Sequence, residues 1–283
     1  MDKKQKTILK EVTIKGRGLH TGNMTKMALK PAPANSGIMF VRKDLPGHPV
    51  IPALFGNVMS LLRGTTIGIN GTPMVYTVEH LLSALNGLGI DNLEIILDNN
   101  EPPIFDGSAR PFIDYINKAG ILELDAPKSY IVLKKPVSYM SDEKIRVEIT
   151  AVPSDDFKVD YSIEYDHPLI GTQRIELLIT PETFINEISS ARTFCFDYEI
   201  ETLHKNGLAK GGGLHNAVVV GMDKIHNLEK LRYDNEFVRH KLLDIIGDLY
   251  LLGKPLKAHL KVKCAGHKHH INFVKIIMES LKG

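Results

Sequence analysis

Residues 235–252 are the most constraining stretch of this 283-residue chain. Read as a helix at about 100° per residue, Leu242, Leu243, Ile245, Ile246, Leu249, Tyr250 and Leu252 fill most of the circle. A helix that is apolar on nearly every side has no face for water, so it must lie buried against other layers. Yet one stripe is polar. With His240 set at zero, Asp244 falls at about 40° and Asp248 at about 80°. These residues point inward, where unpartnered charge costs roughly several kcal/mol, so the stripe needs a metal ion or a charge network. Arg239 falls inside the apolar arc as the one misfit. It sits in the first turns and can reach past the helix end.

The elements around this helix occur twice along the chain, as an internal repeat. In the first half, residues 77–86 read as a helix closed by Gly87 and residues 92–97 as a strand. A Pro/Gly loop follows, and then a helix from Pro111 to Ala119, capped by Ser108 and ended by Gly120. In the second half, the 235–252 helix closes with Gly253. Leu256, Ala258, Leu260, Val262 and Cys264 then alternate with Lys and His, the period of a half-buried strand. A Gly-His loop leads to a last helix near 272–281.

Further strands are expected upstream, at 7–14, 24–29 and 37–41 and at 130–133, 145–150, 157–165 and 173–179. Strands followed by helices make each half an α+β domain, a sheet with helices on one face. Two such domains can form a sandwich with their helix layers packed between the sheets, so that the helices beginning near Thr77 and Asn235 face each other. Leu122–Ser129, with a proline among polar residues, reads as the linker between domains 1–125 and 129–283.

Composition narrows the partners. The formal net charge is +2, and Lys and Arg are scattered apart from Lys3, Lys4 and Lys6, so no nucleic-acid stripe is present. That basic start precedes strand-like residues, not the apolar core of a signal peptide. No apolar run approaches the roughly 18 residues needed to span a bilayer. The two cysteines, Cys195 and Cys264, fit a reducing compartment and make no thiolate metal site. A cytoplasmic protein is expected, and its 12 histidines stand out.

His240 and Asp244, at i and i+4, are neighbours on one helix face and can hold a metal together. An isolated HxxxD is more often a solvent-facing pair or a core histidine satisfied by a carboxylate. The buried setting shifts the balance towards a site. Thr77 reads as the N-cap of the other helix, with Glu79 and His80 in its first turn. Glu79 could simply complement the helix N-terminus, and His80 could be an ordinary half-buried histidine. The repeat nevertheless puts His80 and His240 at comparable places on facing helices. Two His and one Asp leave a fourth position for water, the arrangement of a catalytic zinc. Glu79, beside a ligand, could then act as base. His267, His269 and His270 read as loop residues; a cationic His267 paired with Asp248 is the sharper alternative.

Six stretches of this sequence together resemble the UDP-3-O-acyl-N-acetylglucosamine deacetylases of bacterial lipid A synthesis, over essentially the whole chain. They are Thr77-Val-Glu-His-Leu-Leu-Ser-Ala-Leu85, Ser190-Ala-Arg-Thr-Phe194, the Glu236–Asp248 helix with Gly266-His267, Gly16-Arg-Gly-Leu-His-Thr-Gly22 and Phe105-Asp-Gly-Ser-Ala-Arg-Pro-Phe112. The resemblance implies zinc ligands at His80, His240 and Asp244, with Fe(II) an alternative in the cell. It implies Glu79 as base and His267 as cationic acid oriented by Asp248. Thr193 would donate to the oxyanion, Lys241 would lie beside the substrate, and Phe194 would contact sugar or nucleotide. Each domain would carry an insert, near 43–63 and near 194–220. The second would form an apolar passage for the acyl chain, to which Phe196, Ile200, Leu203, Leu208, Ala209, Leu214 and Ala217 are suited. Those residues could equally be a small local core of a βαβ-like insert, and both readings can hold. Gly211-Gly-Gly213, with Gly212 beside the passage, is a tight turn and not a phosphate loop, because the Lys and following helix are missing. Lys210, His215, Ala209 and Arg63 depart from the family pattern and bear on acyl-length preference. The partner implied is an acylated UDP-sugar taken by a monomer with at most transient inner-membrane contact. Two rivals stand beside this reading: another zinc-dependent amidase on the same ligands, and a non-catalytic lipid- or nucleotide-binding protein with a structural His/Asp network.

Overall fold

The computed structural model describes residues 3–142 and 145–282; the chain-end residues of the two expected domains lie outside them. The first half holds β1 (Lys4–Ile8), β2 (Val12–Arg17), β3 (Met24–Pro31), β4 (Ile38–Arg42), β5 (Val50–Pro52), β6 (Val58–Ser60), β7 (Thr66–Ile69) and β8 (Thr72–Val75). Then come α1 (Glu79–Leu88), β9 (Leu93–Leu97), α2 (Arg110–Ala119) and β10 (Ile121–Pro127). The second half holds β11 (Ile131–Val132), β12 (Val137–Asp142), β13 (Arg146–Pro153), β14 (Phe157–Glu164), β15 (Thr172–Leu178), α3 (Pro181–Thr183) and β16 (Phe194–Phe196). It ends with α4 (Ile200–Lys205), β17 (Val218–Val220), α5 (Glu236–Leu249), β18 (Leu256–Lys263) and α6 (His267–Ser280).

The repeat is explicit in the strand order. The first sheet runs β2-β3-β9-β4-β5 and the second β12-β13-β18-β14-β15, with β11 added beside β18. Along both five-strand paths the neighbours are antiparallel except one pair, β4 with β9 and β14 with β18; the added β11 is also parallel to β18. In each half one helix precedes the central strand and one follows it. This is the expected α+β sandwich. Alternation sets the inner faces: Leu93, Ile95 and Leu97 of β9 are buried, as are Leu256, Ala258, Leu260 and Val262 of β18. Their sheets enclose α1 and α5, on which 9 of 10 and 12 of 14 residues are buried, so one apolar core joins both halves. No helix among the described residues is long and apolar enough to cross a membrane.

Several local expectations are corrected. Residues 7–14 are not one strand: the chain breaks between β1 and β2. Thr77 does not cap α1; it has φ +53° and its hydroxyl donates to Glu101 Oε1 at 2.7 Å. The helix therefore starts two residues later and closes at Gly89, whose φ of 72° admits the left-handed turn. The expected linker is largely strand: β10 pairs antiparallel with β1 and is itself largely exposed, so its polar composition reflects solvent contact. The first excursion is a three-stranded sheet, β6-β7-β8, reaching Val75 and thus beyond 63. Finally, α6 begins at His267, because Gly266 is its extended N-cap (φ −144°) and not a loop centre.

Candidate metal centre

The centre lies where α1 meets α5. Gly247 lets them touch: a Cβ there would lie 2.1 Å from the Glu79 carbonyl oxygen. Ser83 Oγ donates to Leu243 O at 2.8 Å and Asn86 Nδ2 to Ile246 O at 2.9 Å, fixing the rotation of α1 against α5. That contact brings His80 in the first turn of α1 against the polar stripe of α5. His240, Asp244 and Asp248 are all buried, as is His80.

His80 Nε2 and His240 Nε2 lie 3.8 and 3.3 Å from the same atom, Asp244 Oδ1. Ligand atoms of the three residues fall within 4.8 Å of one another. A tetrahedral ion with bonds of about 2 Å needs donors about 3–4 Å apart. Asp244 Oδ1 is buried without a hydrogen-bond partner, as is His80 Nδ1. A buried carboxylate oxygen facing two imidazole nitrogens without a bonded proton fits a cation. His240 Nδ1 donates to the Ala191 carbonyl at 3.1 Å, which aims Nε2 inward. Burial, reinforced by His240, lowers the His80 pKa to about 3, and burial likewise lowers that of His240, so both rings are neutral donors. Burial alone would raise Asp244; Lys241, His240 and His267 outweigh it and hold the carboxyl far below its ordinary value. Lys241 Nζ donates to Asp244 Oδ2 at 2.8 Å.

Two further groups flank the ligands with opposite tendencies. Burial pushes Glu79 up to about 7, with Asp248 and Asp244 adding to it and His267 opposing. Its Oε2 accepts the Thr65 N–H at 2.9 Å. For His267, burial favours the neutral ring, but Asp248, Asp244 and Glu79 overcome it and raise the pKa to about 10. His267 Nδ1 donates to Asp248 Oδ2 at 2.7 Å, and Nε2 stands 3.8 Å from both Glu79 Oε1 and Asp244 Oδ2. A base poised near neutrality and a cationic acid thus border one spot beside the ligand cluster, an arrangement suited to hydrolysis with protonation of the leaving group.

Beside the centre lies a cavity of about 410 Å³ lined by Thr193 and Phe194; the ring centres of Phe194 and His240 are 6.3 Å apart. The Thr193 N–H donates to Gly107 O at 2.8 Å. The preceding Arg192 is buried and donates to Glu236 through Nε at 2.8 Å and Nη2 at 3.0 Å. Phe194 packs edge-on against Phe237, and Lys241 Nζ lies 5.5 Å from its ring centre. Parallel strands β16 and β17, joined through α4, form the βαβ-like insert. Ile200, Leu203, Ala209, Gly212, Leu214 and Ala217 all line the cavity, so the insert supplies both local core and passage wall. Phe196 does not line it: its ring packs on Tyr165, His167 and Tyr198 instead, and Cys195 lines the cavity beside Phe194. Leu208 is not on the wall either. Gly211 permits close packing, since a Cβ would meet Gly18 O at 2.1 Å.

Residues that the sequence did not single out complete the centre. Thr65 touches both Glu79 and Asp248, its hydroxyl donating to Asp248 Oδ1 at 2.6 Å. His20 lines the cavity, its Nε2 bonded to Arg63 O at 3.0 Å and its Nδ1 accepting the Ala209 N–H at 3.4 Å. The only sequence signal for His20 was its glycine-flanked loop, Gly16–Gly22.

The family model for UDP-3-O-acyl N-acetylglycosamine deacetylase (LpxC) matches residues 5–279. Similar curated proteins include the UDP-3-O-acyl-N-acetylglucosamine deacetylases of three bacteria. That of Oleidesulfovibrio alaskensis is 45% identical over 276 residues, 97% of this chain and 89% of that protein. That of Cellvibrio japonicus is 45% identical over 278 residues, covering 98% and 90%. That of Teredinibacter turnerae is 47% identical over 266 residues, covering 93% and 86%.

Proposed function

This chain belongs to the UDP-3-O-acyl N-acetylglycosamine deacetylase family, and from that premise we propose that it performs the family's reaction with zinc at His80, His240 and Asp244. The reaction is hydrolysis of the N-acetyl group of UDP-3-O-acyl-N-acetylglucosamine, giving acetate and the free amine of UDP-3-O-acyl-glucosamine, in lipid A biosynthesis. The observation that carries the reading is the bare, buried Asp244 Oδ1 facing two imidazole nitrogens, with Glu79 and His267 alongside.

When bound, zinc supplies Lewis-acid polarisation of the acetamide carbonyl and lowers the pKa of water. Two His and a carboxylate also suit Fe(II), which is an alternative in the cell. Glu79 takes a proton from the attacking water. The Thr193 hydroxyl donates to the oxyanion as charge develops there. His267, kept cationic by Asp248, gives the proton on Nε2 to the leaving amine nitrogen. Lys241 holds Asp244 in place and sets a positive charge against the Phe194 ring, where the sugar nucleotide would lie. The acyl chain runs into the insert's cavity. Because the protein itself houses that chain, the reading includes a cytoplasmic monomer that meets the inner membrane only transiently.

The test is acetate release from acylated and non-acylated UDP-N-acetylglucosamine, with chelator and with zinc restored. Turnover should require the acyl group, vanish with chelator and return with zinc. Glu79→Ala and His267→Ala should each lose about 10²-fold or more. Equal rates on both substrates, or full turnover by either variant, would overturn the assignment.

A further inference from the structure

One buried imidazole beside the centre has no part in the chemistry above. His270 is fully buried, one turn on from His267 on the same face of α6. Its Nδ1–H donates to Asp248 Oδ2 at 2.8 Å, the same oxygen that accepts His267 Nδ1–H at 2.7 Å. Its Nε2 pairs at 3.0 Å with the hydroxyl of Tyr161, which is itself fully buried and 2.9 Å from the Ala265 carbonyl oxygen. Thr65 Oγ1 donates to the other carboxylate oxygen of Asp248 at 2.6 Å. Three donors therefore converge on one carboxylate.

The terminal torsion of an aspartate is broad, so only outside contacts fix the plane of its carboxylate. Thr65 holds Oδ1, but with His267 alone on Oδ2 the carboxylate can pivot about the Thr65 contact and carry the His267 ring with it. The Nε2 of His267 would then leave the spot it shares with Glu79 and Asp244. A second donor on the same oxygen, anchored from behind by Tyr161, removes that freedom.

We propose that His270 is a positioning residue for deacetylation: together with Tyr161 it fixes Asp248, and through Asp248 the direction of His267 Nε2. The proposal rests on the reading of His267 as the acid. The competing account is that His270 only fills space between α6 and β14.

Two amides separate these accounts, because they place a donor at different ring positions. In His270→Asn, the amide nitrogen can occupy the place of Nδ1 and keep the bond to Asp248. In His270→Gln, it can occupy the place of Nε2, which keeps the Tyr161 contact and forfeits Asp248. The measurements are kcat and KM on the acylated UDP-sugar, zinc content and Tm. His270→Gln should lower kcat about 10- to 100-fold with KM and zinc content unchanged, and His270→Asn should stay within about threefold of wild type. Tyr161→Phe should fall between them. A space-filling role predicts the opposite order, with the smaller Asn the more damaging, and that order would overturn the proposal, as would a His270→Gln kcat at the wild-type level. His267→Ala serves as control: if it keeps full activity, the assignment of the acid fails, whatever His270 does.

Discussion

Gly247→Ala tests how the two halves build the centre. A methyl at this position would sit 2.1 Å from Glu79 O and 3.1 Å from Glu79 Cα, both backbone atoms of α1. Interiors are close-packed, so α1 and α5 must part by about 1 Å at the crossing. Glu79 and His80 would move with α1, while His240 and Asp244 stay on α5. Metal–ligand distances tolerate only about 0.2 Å, and reacting atoms misplaced by about 1 Å cost about 10²-fold in rate. Overpacking costs about 1–3 kcal/mol, but alanine gains about 1 kcal/mol over glycine in a helix. The net loss of stability is therefore about 0–2 kcal/mol, too small to unfold the protein. The expected result is a folded variant with reduced zinc content and a kcat/KM down about 100-fold. Urea unfolding, metal analysis and steady-state kinetics on the same preparation check each part. A variant with full zinc and a kcat/KM within about threefold of wild type would show that the centre does not depend on the close approach of α1 and α5.

Two further outcomes follow from the buried charges. Burial raises the Glu236 carboxyl, but hydrogen bonds from the Arg192 guanidinium and from the Arg192 and Arg232 N–H groups prevail, leaving it below its ordinary value. Its stabilisation is thus fully present above the unfolded glutamate pKa of about 4.3 and is lost as pH falls through the lower folded value. Glu236→Gln should destabilise by about 3 kcal/mol at pH 7, and the gap between its urea midpoint and that of wild type should narrow below about pH 4; a gap independent of pH would refute the attribution. Chelation should lower Tm and zinc should restore it, because metal at 1,000 times its Kd adds about 4 kcal/mol. His80→Ala should show a much smaller zinc response, and an undiminished one would remove His80 from the ligand set.

The parts of the centre that share one helix were legible in the sequence. His240, Asp244 and Asp248 follow from a single periodicity, and the apolar arc around them foretold their burial. The repeat was legible because both halves punctuate their elements with glycine in the same order. What the sequence hid depends on pairing between distant segments. Thr77 looked like a cap, but Glu101, 24 residues on, takes its hydroxyl. A three-residue strand such as β16 carries no phase of its own, and it is the distant Tyr165 and His167, with neighbouring Tyr198, that take the Phe196 ring and leave Cys195 on the passage. The polar run before Lys128 looked like a linker because β10 is itself largely exposed, a setting where strand and loop compositions converge. His270 looked like a loop residue because Gly266 was read as a turn, when its extended backbone starts a helix.

Thr65 shows why neither half could hold this centre alone. It belongs to the first half, just before β7, yet its N–H binds Glu79, the proposed base, and its hydroxyl binds Asp248, the partner of His267, the proposed acid. The preceding Gly64 permits the approach, since a Cβ there would lie 2.9 Å from Glu79 Oε1. Ser83 and Asn86 of the first half likewise reach carbonyls of α5 in the second. Glu79 and His80 come from one half; His240, Asp244, Asp248 and His267 come from the other. Separating the halves would take buried Glu79 away from the His267 imidazole and Asp248 away from the Thr65 hydroxyl, contacts that offset their desolvation. The same interface buries Glu79 and so shifts it up, while Asp248 is held down near 2, against burial, by His267 and His270 of its own half. Catalytic geometry and association of the two halves rest on the same contacts, so substitutions that loosen the α1–α5 crossing should cost activity before they cost the fold.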